Sequence, residues 1–168
     1  MDWLINVWQT PGSEGQFGAW NIEAGGEVTR LSDERFEVYA NGSLFIDDQR
    51  LSLAGVHRLA SGEGGEIDGA GFAVVVDHTR RQLMVVSDIL GVCPAYRSQC
   101  GRYISSSADW VASRSGAGVS PEAIAEFLLY GSLEGGATYY DTVERFPAAT
   151  CLTFNYSGEQ VSENRYFR

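Results

Sequence analysis

The sequence predicts an α+β domain made of layers of antiparallel β-sheet with few, segregated helices. Three observations carry this. β-prone runs separated by turn residues fill most of the 168 residues. One segment, SPEAIAEFLLYG, holds a full set of helix signals. The chain lacks the regular strand–helix alternation that builds a doubly wound parallel sheet.

Taken in order, LINVW (Leu4 to Trp8) reads as a buried strand, because the apolar run hardly alternates. RFEVYANGSLFID reads as a hairpin, with Asn41-Gly42 supplying the positive φ angles of a two-residue turn. ASGEGGEIDG (Ala60 to Gly69) reads as an acidic, flexible connector. FAVVVD then turns at HTRR into QLMVVSD, and PAYRS turns at QCG into RYISSS, a meander whose valine runs predict strands covered on both faces. A weaker helix is expected over Ala108 to Ser113. The stronger one starts with Ser120 as N-cap, Pro121 at the first helical position and Glu122 complementing the dipole, and closes at Gly131. Ile124, Phe127 and Leu128 fall on one face of it. ATCLTFNYSGEQVSENRYFR reads as a final hairpin turning at Ser157-Gly158.

Composition narrows the function classes. The length suits one domain with its own core. Net charge is −10, and all 12 basic residues are arginine, so a Walker lysine, a Schiff-base lysine and a lysine base are excluded within this sequence. An acidic field repels phosphate backbones, which argues against nucleic acid as a partner. No apolar run approaches the roughly 20 residues of a membrane helix. MDWLINVWQTPG has no basic leader region, so the expected location is cytoplasmic, with no membrane partner. Cys93, Cys100 and Cys151 lack metal-ligand spacing and are expected reduced; no metal site is expected. His57 and His78 have no acidic or cysteine partner at motif spacing.

The stretch SDILGVCPAY stands out. Asp88 ends a buried strand, where its carboxylate needs donors, most cheaply the backbone N–H groups of the loop that follows. Gly91 permits a tight turn, Pro94 fixes φ for re-entry, and Tyr96 brings a large ring with a polar tip. These residues suit a rigid brace between two sheet segments, or a binding or catalytic loop.

Six blocks in order, DGAGFAVVVD, SDILGVCPAY, ISSSADW with Ser106, PEAIAEFLLYGSL, ATYYDTVERFPAATCLTF and NRYFR, resemble the second half of a known module. It is the glutaminase-type domain of the asparagine synthetase family, a class II glutamine amidotransferase of the N-terminal-nucleophile hydrolase fold. The resemblance runs from about Asp68 to Arg168. It implies an Ntn-hydrolase-like sandwich of antiparallel β-sheets with few helices, as a single degenerate domain over residues 1–168, shortened in 1–68. Departures are clear: Ala95 replaces Leu, Ser87 stands where Arg is usual, Ser106-Ser107 replaces Ser-Glu, and FPAAT lacks the glycine of a proline-glycine turn. Neither an R-G-P-D-like segment nor a full N-G-E-I-Y-N block is present. Asn41-Gly42 is either a remnant of the latter, which in active relatives helps form the oxyanion hole, or simply the hairpin turn.

Active relatives use an N-terminal Cys whose α-amine acts as base. Here the start is Met1-Asp2-Trp3, and no Cys precedes Cys93. Self-processing at Thr10 or Ser13 is disfavoured by the turn-like Pro11-Gly12. No catalytic residue and no glutaminase activity are therefore expected. Relatives continue into an ATP-pyrophosphatase domain with an S-G-G-x-D-S loop, absent here. The resemblance thus implies a ligase domain as partner, attached C-terminally or separate, with ATP and Mg belonging to that domain and no cofactor in this chain. A homodimer is also allowed. The expected function is an inactive glutaminase-like domain with a structural or interface role in an ATP-dependent amide-forming enzyme of the asparagine synthetase, β-lactam synthetase or lasso-peptide cyclase type. The alternative is a solitary module binding a small amino-acid-like ligand in a vestigial cleft at Asn41 and Gly42.

Overall fold

The computed structural model describes residues 4–9, 20–63, 66–157 and 159–166. Met1-Asp2-Trp3, Thr10, the Pro11-Gly12 turn, Ser13 and Gly158 lie outside the described residues. The elements run β1 (Leu4–Gln9), β2 (Trp20–Gly25), β3 (Thr29–Ser32), β4 (Phe36–Ile46), β5 (Gln49–Arg50), α1 (Leu53–Ser61), β6 (Ile67–Asp77) and β7 (Gln82–Ser87). They continue with β8 (Tyr96–Ser98), β9 (Tyr103–Ser105), α2 (Ala108–Ser115), α3 (Pro121–Tyr130), β10 (Val143–Arg145), β11 (Thr150–Asn155) and β12 (Gln160–Arg165). The fold is α+β: a five-stranded antiparallel sheet ordered β10-β8-β9-β1-β2 faces a seven-stranded antiparallel sheet ordered β12-β11-β7-β6-β4-β3, with β5 paired to β4.

Between the sheets lies the main core. Ile5 and Val7 of β1 and Ile104 of β9 meet Phe72, Val74 and Val76 of β6, Leu83 and Val85 of β7, and Leu152 and Phe154 of β11. Alternation along β6 sends Ala73 and Val75 to the opposite face, and there Val56 and Ala60 of α1 cover Phe36, Val38 and Val75. On the outer face of the smaller sheet, Val111 and Ala112 of α2 pack with Val143, Tyr96 and Tyr103. The layers are therefore helix, sheet, sheet, helix, and the valine-rich meander is covered on both sides, as its lack of alternation predicts. Burial of each large core side chain stabilises by about 1.5–3 kcal/mol before chain entropy is counted.

Two expectations need correction. Asn41-Gly42 is not a hairpin turn: β4 runs unbroken from Phe36 to Ile46, pairing residue for residue with β6, Asn41 opposite Phe72 and Gly42 opposite Gly71. The positive φ of Gly42, 72°, is used in mid-strand rather than to reverse the chain. A Cβ there would run into the Ala70 carbonyl oxygen, and one on Gly71 would meet the Asn41 carbonyl, so paired glycines let the two backbones approach. Secondly, much of the stretch Ala60 to Gly69 is not a flexible connector: α1 runs into it as far as Ser61, with Ser52 as N-cap and Gly62, at φ 76°, as C-cap, and β6 begins at Ile67. The other hairpins and both later helices form where expected, α2 extending to Ser115.

Candidate functional site

Residues 88–95 are the crossover from the seven-stranded to the five-stranded sheet, and Asp88 organises it. Its carboxylate is 1% exposed. Oδ1 accepts from the backbone N–H of Leu90 at 3.0 Å and of Val92 at 2.9 Å, and Oδ2 from that of Cys93 at 2.9 Å. The donors are those of the following loop, as the sequence argument requires. Gly91, at φ 64°, makes the tight turn, and the Arg145 guanidinium donates to its carbonyl.

A second segment clamps the same strand end. The Ser87 hydroxyl donates to the Pro147 carbonyl at 2.6 Å and accepts from Thr150 N–H at 3.2 Å, so Ser87 holds the FPAAT turn. Ala149 N–H donates to the Asp88 carbonyl at 2.8 Å. Where that turn lacks its glycine, Ala149 takes φ 53°, a left-handed conformation usually left to glycine. Tyr166, from the closing RYF, donates its hydroxyl to the Ser87 carbonyl. Burial first, then the negative fields of Asp88 and Cys151, push its phenol far above the ordinary tyrosine range.

Asn41 is the second focus. It is 2% exposed, and its Oδ1 accepts from Phe72 N–H at 2.8 Å, replacing a ladder contact beside Gly42. Its Nδ2 is buried with no hydrogen-bond partner among the described residues. A buried amide donor left unmatched costs about 1–3 kcal/mol, which marks the position as one the fold tolerates at a penalty. The Asn41 side chain lies close enough to the Cys93 thiol to favour its ionisation, without a full hydrogen bond between them.

The thiols near this cluster are poor nucleophiles. Burial, then the charge of Asp88, raises the Cys93 pKa, and Asn41 only partly offsets this. Burial alone pushes Cys151 up to about 11. Both are free, as is the exposed Cys100.

Asp88, Gly91 and Asn41 are thus linked through Cys93, with Gly42 beside Asn41 in β4. Pro94 ends the same crossover half-buried. Tyr96 and Ser106 lie apart. Tyr96 points its ring to the outer face under α2. Ser106 binds β1, accepting from Ile5 N–H at 3.3 Å and donating its own N–H to the Ile5 carbonyl at 3.2 Å. Next to it, buried Asn6 accepts from the Ser105 hydroxyl at 2.7 Å and donates to Glu23 at 3.1 Å. Sequence reading missed Asn6, Cys93 and Tyr166. An asparagine inside the apolar run LINVW was the available signal for the first, since a buried amide needs partners.

Away from this cluster, His57 meets Asp33 at 2.7 Å and His78 meets Glu37 at 3.8 Å, both near the surface. Among the described residues no three His, Cys, Asp or Glu side chains gather as a metal site would need. No family model matches the chain, and no curated protein is significantly similar to it.

Proposed function

We propose that this chain is a catalytically inactive glutaminase-like domain, with the Ntn-hydrolase type of sandwich, serving by contact in an ATP-dependent amide-forming system. What carries the reading is the combination at Asn41. An amide nitrogen stands unmatched beside a mid-strand glycine, where an oxyanion-stabilising pair is wanted. Cys93, the thiol beside it, is held protonated, as is Cys151 on the opposite face of the seven-stranded sheet. A cysteine-based acyl-transfer centre needs a thiolate at neutral pH, and protonated thiols leave the Asn41 donor without an attacking sulfur. The four layers and the Asp88 crossover are in keeping with the resemblance of the six sequence blocks. The ligase partner, with its ATP and Mg, belongs to that resemblance. The test is alkylation of the folded chain by iodoacetamide across the pH range. Cys100 should react first, and Cys93 and Cys151 only in more alkaline solution; rapid modification of Cys93 at pH 7 contradicts the reading.

The orphaned Asn41 nitrogen also favours a second function, binding of a small amino-acid-like ligand whose carbonyl accepts from it. Calorimetry with glutamine, glutamate and asparagine tests this: heat abolished by Asn41→Ala supports it, and no heat with any of the three removes it.

A further inference from the structure

Helix α3 has every local feature of a stable helix and almost no cover. Ala123 is its one buried residue, while Leu128, Leu129 and Tyr130 are 75–78% exposed and Ile124 and Phe127 are 41% exposed. Among the described residues ten large hydrophobics are exposed, and seven of them lie between Val119 and Tyr139. A helix apolar nearly all round is normally buried. A concentration of this kind marks a contact surface rather than the scattered apolar residues of an ordinary exterior.

The charge around it says what kind of partner fits. Residues 115–142 contain Glu122, Glu126, Glu134 and Asp141 and no basic residue. A groove of about 810 Å³ runs from α3 to the end of β10, lined by Glu122, Glu126, Glu134 and three arginines. Each arginine is already engaged: Arg97 with Glu144 at 3.2 Å, Arg165 with Glu163 at 3.1 Å, and Arg145 with the Gly91 carbonyl. Glu122, Glu126 and Glu134 make no ion pair among the described residues. They bond only to neutral groups, Glu122 to the Ser120 hydroxyl and Glu126 to the backbone N–H of Glu134. Leu129 follows Glu126 by three residues on the same stripe, so apolar and acidic contacts adjoin.

We propose that the α3 face is a docking surface for a protein partner whose contact patch is apolar at its centre and rimmed by Lys or Arg. A second copy of this chain would set these unpaired glutamates against each other. An anionic lipid surface would meet a chain of net charge −10. The proposal deepens the contact role above and rests on that role only for taking the occupant to be a protein.

Fluorescence anisotropy of the full chain with a labelled amphipathic Leu/Lys helical peptide, and with a scrambled peptide of the same composition, tests it. The amphipathic peptide should bind about tenfold or more tightly than the scrambled one, and more weakly as salt rises from about 0.05 to about 0.5 M. Leu128→Ser/Leu129→Ser, which removes exposed side chains and should keep the chain folded by its thermal transition, should bring the two peptides level. Equal binding of both to the wild-type chain, or none, overturns the proposal. So does self-association, or adhesion to phosphatidylcholine vesicles, that the double variant abolishes. Steady turnover of glutamine would defeat the inactive-domain reading and leave these outcomes as they stand.

Discussion

Helices α1 and α3 are built alike locally and used in opposite ways. Ser52 caps α1 by accepting from Gly55 N–H at 3.3 Å, and Ser120 caps α3 by accepting from Ala123 N–H at 3.1 Å. Both end in a left-handed glycine, Gly62 at φ 76° and Gly131 at φ 73°. Yet α1 seals the outer face of the seven-stranded sheet, and α3 leaves its largest side chains in solvent. Caps decide that a short helix can form and where it stops; they do not decide what it covers. The docked helix serves the fold, and the open one serves an encounter.

The widest separation between the two should come from charge placed under α1. Val56→Asp sets a carboxylate against Phe36, Val38 and Val75, and chemical denaturation should show a loss of about 4 kcal/mol or more, or no folded protein. Retained stability would mean that α1 is no more docked than α3. Next in size is Asp88→Ala, which strips the partner from three backbone N–H groups and should cost about 3 kcal/mol or more while α2 and α3 keep their helical signal. The caps should act alike: Ser52→Ala and Ser120→Ala should each weaken its own helix by about 1 kcal/mol, read by amide hydrogen exchange within that helix. Unequal losses would show that the caps are not equivalent.

The smallest effect is acid. Phe36 N–H first, then His57 on α1 and the Arg35 N–H, lower the Asp33 carboxyl to about 2. A group with a depressed folded pKa stabilises above its unfolded value, near roughly 3.9, and loses that contribution as pH falls through the folded one. Asp77, beneath the same corner, follows the same sign: burial opposes its ionisation, but Arg35 and the Arg80 N–H outweigh burial and lower its pKa. Protection of the α1 amides, measured against their intrinsic exchange rate at each pH, should therefore fall between about pH 4 and about pH 2, while protection in α3, which among the described residues has no such pair at its edge, should change less.

Much of this architecture was legible in the residues. Ser120-Pro121-Glu122 and Gly131 delimit α3, and the Val-rich runs flanking HTRR give β6 and β7 with their two buried faces. The Asp88 carboxylate found its loop donors because no cheaper ones exist at a buried strand end. What failed, failed for tertiary reasons. Asn-Gly is a strong turn signal, but the opposing Gly71 makes Gly42 a close-approach site inside β4, and that pairing joins residues far apart in sequence. Helix α1 was hidden by Gly55, a poor helix former that is there because a Cβ would press on Ile46. The candidate site was half visible: Asp88, Gly91 and Asn41-Gly42 were singled out. The clamp by Ser87 and Tyr166 and the approach of Cys93 to Asn41 depend on contacts across both sheets, which no local pattern encodes.

The central claim is that the Asn41 amide has no competent thiol beside it. Release of glutamate from glutamine by the full chain at neutral pH measures this most directly. The rate should equal that of buffer alone and be unchanged by Asn41→Ala or Cys93→Ser. Steady glutamate release that either substitution abolishes would contradict it.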